Sequence, residues 1–244
     1  MTNNEQVSIV DPPAVMSIMV VAAHPDDLES GCGGTLARAI DAGATVRILL
    51  VTSGDKGSAD PNADMQELAK RRERETRDAA LVLGIAESDI VFLRHPDGEV
   101  AASRSLCGEI VRWIRIWKPE VIFTFDPEHP LPRYVAHRDH VVVGRMTLDA
   151  VYPAARDPLN FRDQIAEGLD VHNVRQVWLF ASEKADRYVD ITTGLERKVT
   201  ARIAHASQTV DSARLGLMWR ERAQATGRTV GVVAAEAFTI VELG

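Results

Sequence analysis

The sequence predicts an α/β fold, with a mostly parallel sheet and helices on both of its faces. Short apolar runs, each the length of a buried strand, recur along the first half of the chain. Stretches with helical spacing lie between these runs, and this alternation is typical of βαβ units. The chain has 244 residues, of which 45% are hydrophobic, which is enough for one domain with a sizeable core. We therefore predict a single domain over residues 1–244.

Four strands and three helices are predicted between residues 17 and 125. The strands are apolar almost throughout, as expected for strands buried on both faces. Each helix stops at a residue that ends helices, namely Gly43, Gly84 or Pro119. The strands are 17–23, 45–52, 90–93 and 121–125, and the helices are 33–42, 66–83 and 103–117. This order is typical of a Rossmann-like, doubly wound sheet.

The second half of the chain has a weaker pattern. We predict helices over 138–151 and 193–207 and strands over 174–180 and 234–243. The segment 152–173 is irregular, contains two prolines and mixes charges, so we expect it to form a lid. Residues 1–13 are polar and end in Pro12-Pro13, which predicts a loose tail.

The overall charge excludes a general nucleic-acid binder. The formal net charge is −7, whereas such proteins carry a basic patch or stripe. The arginines Arg71, Arg72, Arg74 and Arg77 cluster, but acidic residues alternate with them, which is typical of a solvated helix face. The longest apolar runs, such as residues 15–23, are too short to span a bilayer, so we predict no membrane span.

The cysteines and the beginning of the chain suggest a cytoplasmic protein. Cys32 and Cys107 are too few for a disulfide framework. The first residues, MTNNEQVSIVDPP, lack the basic and apolar regions of a signal peptide. A secreted protein remains an alternative, and the sequence leaves open whether the chain forms a homo-oligomer.

Polar loops follow all four predicted strands of the first half. In a doubly wound sheet, these loops converge on one rim, outside the carboxyl ends of the strands. The four loops carry the segments 24–27, 53–56, 95–97 and 126–140, three of which contain histidines. We therefore expect the chemistry of the protein at this rim.

Two short histidine-acid patterns on this rim predict a metal site. His24 precedes Asp27 by three residues, and His137 precedes His140 by three residues with Asp139 between them. Residues with this spacing lie on one side of a helix or tight turn. Two imidazoles and one carboxylate with an open position form a catalytic zinc site, and the same donors suit Fe²⁺. A first-turn acid and a solvated helix start would explain each pattern alone, but not both on one rim.

Other signals in the sequence are weaker. Gly31, Gly33 and Gly34 resemble a phosphate-binding turn, but Leu36 breaks the G-x-G-x-x-G pattern and the preceding acids would repel phosphate. The glycines are better explained by close packing of the helix start. A nucleotide-binding Rossmann-like module therefore remains the weaker alternative. His129 lies in a proline-rich loop and is expected at the surface.

Several motifs resemble one known family. "AHPDDLESGCGGTLA" and "HRDH" are similar to the AHPDD-x-E-x-GCGG and H-x-D-H signatures of the PIG-L/LmbE-like zinc deacetylases. "TSGDKGS", "RRERETRDAALVLGI", "KPEVIFTFDP" and "DITTGLERKVTARIAHASQ" agree in the same order. The resemblance covers residues 17–150 well and 174–240 more loosely. It implies hydrolysis of an N-acetyl group on a small-molecule amino sugar of the N-acetylglucosamine type or on its glycoconjugate.

The resemblance also implies a role for each matching residue. Two histidines and one aspartate would bind Zn²⁺: His24, Asp27 and His140. Three side chains would act in catalysis. Asp26 would be the general base, His137 would face the developing oxyanion, and Asp139 would orient His137. Two further residues would contact the sugar: Arg72 and Asp97. The mycothiol-type enzymes of the family carry a tyrosine where this sequence has Val135, next to Tyr134.

The same donor set leaves other reactions open. A metal-dependent hydrolase of another amide, of an ester or of a phosphate could use the same ligands. Ser30 and Ser53 lack the G-x-S-x-G elbow of a serine nucleophile, so a serine hydrolase is not expected.

Overall fold

The computed structural model describes residues 7–128 and 136–244, in which eight strands form one sheet. The strands are β1 (Ser8–Ile9), β2 (Ser17–Ala22), β3 (Thr45–Thr52), β4 (Ile90–His95), β5 (Val121–Phe125), β6 (Gln176–Phe180), β7 (Arg187–Asp190) and β8 (Ala235–Glu242). The helices are α1 (Asp27–Asp41), α2 (Met65–Leu83), α3 (Arg104–Trp117), α4 (Arg138–Asp149), α5 (Arg162–Ala166), α6 (Leu195–Ala204) and α7 (Ser212–Val230). His129, Tyr134 and Val135 lie outside the described residues, so their predicted positions stay predictions.

The predicted fold class is confirmed. The strand order is β1-β7-β8-β6-β5-β2-β3-β4, and the five strands from β6 to β4 pair in parallel. Among the described residues, only β8 runs antiparallel to its neighbours, which are β6 and β7. Helices α1, α2, α6 and α7 contact one another on one face, and α3 with α4 covers the other. β2 lies in the middle of the parallel region, which explains its continuous apolar sequence.

Side-chain caps and glycines fix the ends of several helices. The Asp64 carboxylate accepts the backbone N–H groups of Gln66 and Glu67 at the start of α2. Ser103 accepts the N–H of Leu106 at the start of α3. Helix α2 ends at Gly84, whose φ of 92° is the left-handed conformation that glycine adopts without strain. These signals explain why the predicted bounds of α2 and α3 agree with the structure.

Helix α1 begins at Asp27, six residues before the predicted start, and includes the three glycines. A Cβ on Gly31 would lie 2.5 Å from the Phe180 ring, and one on Gly34 would lie 2.7 Å from Ile191. The glycines therefore allow α1 to approach β6 and the segment before α6 closely, which agrees with the packing explanation of this pattern.

One segment differs from its prediction, because Ser8–Ile9, inside the expected loose tail, pairs in parallel with β7. The segment 152–173, which the sequence predicts as a lid, packs along α3, and its role as a lid stays a prediction. Buried Arg115 of α3 donates to the carbonyl of Ala154 and to further carbonyls of this segment, and His172 donates to the carbonyl of Pro119, just before β5 begins. Its carbonyls accept from both Nη atoms of this buried guanidinium, so the segment is part of the packed structure.

Helix α7 and strand β7 were not predicted. Only Gly216, Ala223 and Gly227 of α7 are buried, and its larger apolar residues, among them Leu217 and Trp219, do not mark one buried face. Within residues 7–128 and 136–244, no helix is both long and apolar enough to cross a bilayer.

Candidate active site

His24 lies at the centre of the rim formed by the carboxyl ends of β2, β3, β4 and β5. It lies two residues after the end of β2, and Asp27 begins α1 three residues later. Asp97 follows β4, and His137, Asp139 and His140 lie at the start of α4. The structure thus brings together side chains from three separate loops, as the sequence predicts. The two nitrogens of the buried His24 ring have different surroundings.

The Nδ1 side of His24 faces Asp27 and His140. His24 Nδ1 lies 3.2 Å from His140 Nε2 and 3.5 Å from Asp27 Oδ2, and His140 Nε2 lies 3.3 Å from Asp27 Oδ1. Tetrahedral ligands with bonds of 2.0–2.1 Å would have donor atoms about 3.3 Å apart. The three donors also have the chemistry of a catalytic zinc site. The residues present therefore fit a divalent metal ion on this side of the ring.

The Nε2 side of His24 faces two carboxylates. Asp97 Oδ1 lies 3.0 Å and Asp139 Oδ2 lies 3.3 Å from Nε2. Asp139 is fully buried and accepts the backbone N–H groups of Gly98 and Val100 at 2.7 and 3.3 Å. Carboxylates in this position hold a ligating histidine in one orientation and keep the proton on the nitrogen that faces them.

This arrangement corrects the role predicted for Asp139. The sequence resemblance implies that Asp139 orients His137, but the Asp139 carboxylate instead contacts His24 and the loop after β4. Its only hydrogen bond to His137, within the described residues, runs from the Asp139 backbone N–H to His137 Nδ1 at 3.2 Å. The side chain of Asp139 therefore supports His24, and its backbone positions His137.

The charges of the cluster favour a positive charge at its centre. Burial lowers the pKa of His24, but the hydrogen bonds with Asp139, Asp27 and Asp97 more than compensate and raise it to about 12. Burial raises the pKa of Asp27, but its bonds with His140 and His24 bring it below the usual range. The pKa values of Asp97 and Asp139 are also lowered, because hydrogen bonding to His24 outweighs their burial. The carboxylates thus stay ionised around a proton or a cation.

His137 is exposed and lies at the edge of the cluster. Its ring meets the His24 ring edge-on, with 4.6 Å between centroids. Because Nδ1 accepts the Asp139 N–H, the neutral ring carries its proton on Nε2. Burial and the charges of His24 and His140 lower the pKa of His137. Donor atoms of two sets lie within 4.8 Å of one another: His24, His137 and His140, and His24, Asp97, His137 and Asp139.

Asp26 has an unusual backbone conformation for a residue with a side chain. Its φ of 90° is in the left-handed region, which costs on the order of 1–3 kcal/mol. It caps α1 without a hydrogen bond from its side chain to the helix. The carboxylate instead lies 2.8 Å from Arg202 Nη2 and 3.8 Å from Arg72 Nη2. Burial raises the pKa of Asp26, and the positive charges of Arg202 and Arg72 oppose only part of this effect.

Comparison with known proteins defines the family. The family model described as PIG-L, GlcNAc-PI de-N-acetylase, matches residues 19–151. This chain belongs to the PIG-L family. A diacetylchitobiose deacetylase of Thermococcus kodakarensis is 35% identical over 194 residues, which are 80% of this chain and 70% of the relative.

Solved structures support the same relationship. The N,N'-diacetylchitobiose deacetylase from Pyrococcus horikoshii has a TM-score of 0.86 at 29% identity and covers 93% of this chain and 84% of its own. The 4-carboxy-2-hydroxymuconate hydratase GalB from Pseudomonas putida has a TM-score of 0.76 at 19% identity and covers 94% and 98%. At that identity, GalB shares the fold alone.

Arg72 and Asp97, for which the resemblance to the PIG-L family implies sugar contacts, are both buried. Arg72 is only 3% exposed, and its guanidinium donates to the carbonyls of Gly54 and Pro25 at 3.0 and 2.8 Å. Asp97 is buried against His24. Arg72 thus connects the loops after β2 and β3, and Asp97 contacts the His24 ring, while the sugar contacts of both residues stay predictions.

Sequence reasoning missed Arg202, which has the shortest contact with Asp26 among the described residues. A signal was present in "KVTARIAHASQ", which belongs to the PIG-L-like pattern and carries basic residues with helical spacing. Its partner lies 176 residues earlier in the chain (202 minus 26), so the sequence alone could not connect them.

A cavity of about 500 Å³ adjoins the site on the side of the edge strand β4. Its lining includes Ser53, Asp55 and Pro96 from the loops after β3 and β4. Asp55 joins the cavity to the site, because its Oδ1 accepts the backbone N–H of Asp97 at 3.0 Å.

Proposed function

We propose that this protein is a zinc-dependent deacetylase that removes an N-acetyl group from an N-acetylglucosamine-type amino sugar or its glycoconjugate. The observation that carries the proposal is the triangle of donor atoms from His24, Asp27 and His140, with Asp26 adjacent. Membership of the PIG-L family and 35% identity to a diacetylchitobiose deacetylase support the substrate class.

The metal ligands would be His24 through Nδ1, His140 through Nε2, and the Asp27 carboxylate. His24 Nδ1 is the ligating nitrogen because Asp97 and Asp139 engage Nε2. Two imidazoles and one carboxylate suit Zn²⁺ and also Fe²⁺. A divalent ion bound there would polarise the amide carbonyl and lower the pKa of water.

Asp26 would act first as general base and then as general acid. Its carboxylate takes a proton from the water that attacks the amide carbon. When the C–N bond breaks, the same proton goes to the leaving amine, so acetate and the amino sugar are formed. Burial raises the pKa of Asp26, which makes it a better base than an exposed aspartate. Its side chain is 18% exposed, against 9% for Asp27, so it can face a substrate.

His137 would stabilise the oxyanion of the tetrahedral intermediate. Its Nδ1 is occupied by the Asp139 backbone N–H, so Nε2–H is the group free to donate. Donors fixed before the reaction are worth most where charge develops in the transition state. His137 needs no positive charge for this role, which agrees with its lowered pKa.

A cytoplasmic location is part of the proposal. Cys32 is buried and Cys107 half-buried, and neither forms a disulfide. Unpaired cysteines are typical of reducing compartments. Fractionation of the native host, with detection by an antibody, tests the location.

A release assay for acetate tests the function. The panel holds diacetylchitobiose, simpler N-acetylglucosaminides, other acetamides and acetate esters, each with zinc-loaded and chelated protein. We expect turnover of the N-acetylated sugars that chelation abolishes and zinc restores. Asp26→Asn should abolish most of this turnover, because it removes the proposed base. Asp41→Asn is its matched control, because Asp41 lies at the far end of α1 and pairs with Arg197. Turnover of esters or other acetamides in preference to all sugars would support the alternative, a hydrolase of another class.

A further inference from the structure

Helix α6 directs three cationic or ionisable side chains towards the first turns of α1. Lys198, Arg202 and His205 follow one another at spacings of four and three residues, so they share one side of the helix or its end. Lys198 Nζ donates to the Ser30 carbonyl at 2.7 Å, and His205 Nε2 lies 3.4 Å from Glu29 Oε1. Arg202, between them, faces Asp26.

Arg202 holds Asp26 at both its side chain and its backbone. Arg202 Nη2 lies 2.8 Å from Asp26 Oδ2. Arg202 Nε donates to Ser30 Oγ at 3.2 Å, and Ser30 Oγ donates to the Asp26 carbonyl at 2.9 Å. The Arg202 guanidinium therefore contacts the Asp26 carboxylate directly and reaches the strained Asp26 main chain through the Ser30 hydroxyl.

No other described side chain holds the Asp26 carboxylate as closely. The left-handed backbone of Asp26 turns its carboxylate away from the helix N–H groups that an N-cap usually engages. Arg72 lies farther away, at 3.8 Å, and both of its Nη atoms donate to backbone carbonyls. The orientation of the carboxylate therefore depends on Arg202.

The position of Arg202 is itself fixed by the packing of α6 on α1. Buried Lys198 pairs with buried Glu236, with 2.6 Å between Nζ and Oε1. The same Glu236 carboxylate accepts the backbone N–H groups of Gly34 and Thr35 of α1 at 3.0 and 2.8 Å. A Cβ on Gly194 would lie 2.5 Å from the Gly34 carbonyl, so the start of α6 touches α1 directly. The arginine is thus held in place before substrate arrives.

We propose that Arg202 is a positioning residue that fixes the Asp26 carboxylate in its reactive orientation and affects the reaction only through Asp26. The inference rests on the proposed function, in which Asp26 is the general base. A small misplacement of a catalytic group can cost about 10² in rate. Loss of the contact should therefore lower kcat and leave the zinc content and KM nearly unchanged.

A double-mutant cycle tests this inference. The variants are Arg202→Met, Arg202→Lys, Asp26→Asn and the double variant Asp26→Asn/Arg202→Met, each assayed for kcat, KM, zinc content and thermal unfolding. We expect Arg202→Met to lower kcat by about 10- to 100-fold with little change in KM or zinc, and Arg202→Lys to restore part of the loss. In the Asp26→Asn background, Arg202→Met should have no further effect on kcat. Arg197→Met is the control, because Arg197 also joins α6 to α1 but pairs with Asp41 at the other end.

Several outcomes would overturn the inference. These are a wild-type kcat in Arg202→Met, independent losses that multiply in the double variant, or a kcat loss of the same size in Arg197→Met. A crystal structure of Arg202→Met, or of Arg202→Lys if the first does not fold, tests the inference without an activity assay. The Asp26 carboxylate should change its orientation in this structure. An unchanged Asp26 rotamer would show that Arg202 does not position the carboxylate. If the wild-type protein deacetylates no amino sugar, the proposed function fails, and the crystal structure still decides whether Arg202 orients Asp26.

Discussion

His24 Nδ1 and His140 Nε2 lie 3.2 Å apart, and the Asp27 carboxylate faces both nitrogens. Three donors this close should share one divalent ion, so we expect near-unit zinc content per chain after dialysis. His24→Ala and His140→Ala should each lower metal affinity sharply, because each removes one of the three proposed ligands. Elemental analysis and metal titration measure the effect. His172→Ala is the control, since its ring donates to Pro119 away from the rim. Full zinc content in both ligand variants would exclude this site.

Replacing Asp139 tests whether its carboxylate supports His24, as the structure indicates, or orients His137, as the sequence resemblance implies. Its carboxylate faces His24 Nε2 at 3.3 Å, so Asp139→Asn removes a charged partner of a proposed metal ligand. We expect metal affinity to fall by about 10- to 100-fold, the usual size for such partners. If Asp139 served His137 instead, kcat would fall while metal affinity stayed constant. A zinc titration beside steady-state kinetics separates the two results.

Arg72 should matter more for stability than for sugar binding. Its buried guanidinium donates to the carbonyls of Gly54 and Pro25, so Arg72→Met removes both bonds. The Gly54 carbonyl keeps the backbone N–H of Gly57, whereas the Pro25 carbonyl loses its donor. We expect a loss of about 1–3 kcal/mol in the free energy of unfolding, measured by urea denaturation. Activity should fall through kcat, because the loop that carries Asp26 is loosened. A rise in KM alone, with an unchanged free energy of unfolding, would support the prediction that Arg72 contacts the sugar.

The fold and the location of the site follow from local signals that the sequence contains. Strands β2, β3 and β5 are buried on both faces, so their apolar runs identify them directly. Because parallel strands end at one rim, His24 and His137 could be placed together without knowing any contact. The PIG-L-like motifs then assigned chemistry to residues whose positions were already grouped.

The features that the sequence did not reveal depend on contacts between distant parts of the chain. Arg202 and Asp26 meet only because α6 packs on α1, and no local pattern records that pairing. The sequence resemblance implies that Asp139 orients His137, and it does not reveal that the Gly98 N–H donates to the Asp139 carboxylate beside His24. The prolines and mixed charge of segment 152–173 suggest a lid, but they do not reveal that its carbonyls accept hydrogen bonds from buried Arg115.

Ionised Glu73 should contribute to the free energy of unfolding, and this contribution should fall at acid pH. Burial raises its pKa, but hydrogen bonds from Arg94 and Ser53 outweigh burial and lower the pKa below its usual value of 4.5. A group with a lowered folded-state pKa contributes stability above its unfolded pKa and loses it as pH falls through the folded value. The stability gap between wild type and Glu73→Gln should therefore be about 1 kcal/mol at pH 7 and shrink below about pH 4.5. Denaturation curves across pH 3–7 measure the gap. Glu67→Gln, on an exposed part of the same helix, should show almost no gap at any pH.

Asp26 and Asp27 are adjacent, yet their replacement should have different consequences. Asp27→Ala removes a carboxylate that faces His24 and His140, so metal and activity should be lost together. Asp26→Asn keeps the shape of the side chain, and asparagine tolerates the positive φ of this position better than most residues do. Zinc should therefore remain, while kcat falls by about 10² to 10⁴ because an amide cannot accept the proton of water. Zinc content measured beside turnover compares the two variants. If Asp26→Asn lost its zinc while Asp27→Ala kept it, the two carboxylates would have the opposite roles, and Arg202 would then support a metal ligand in place of a base.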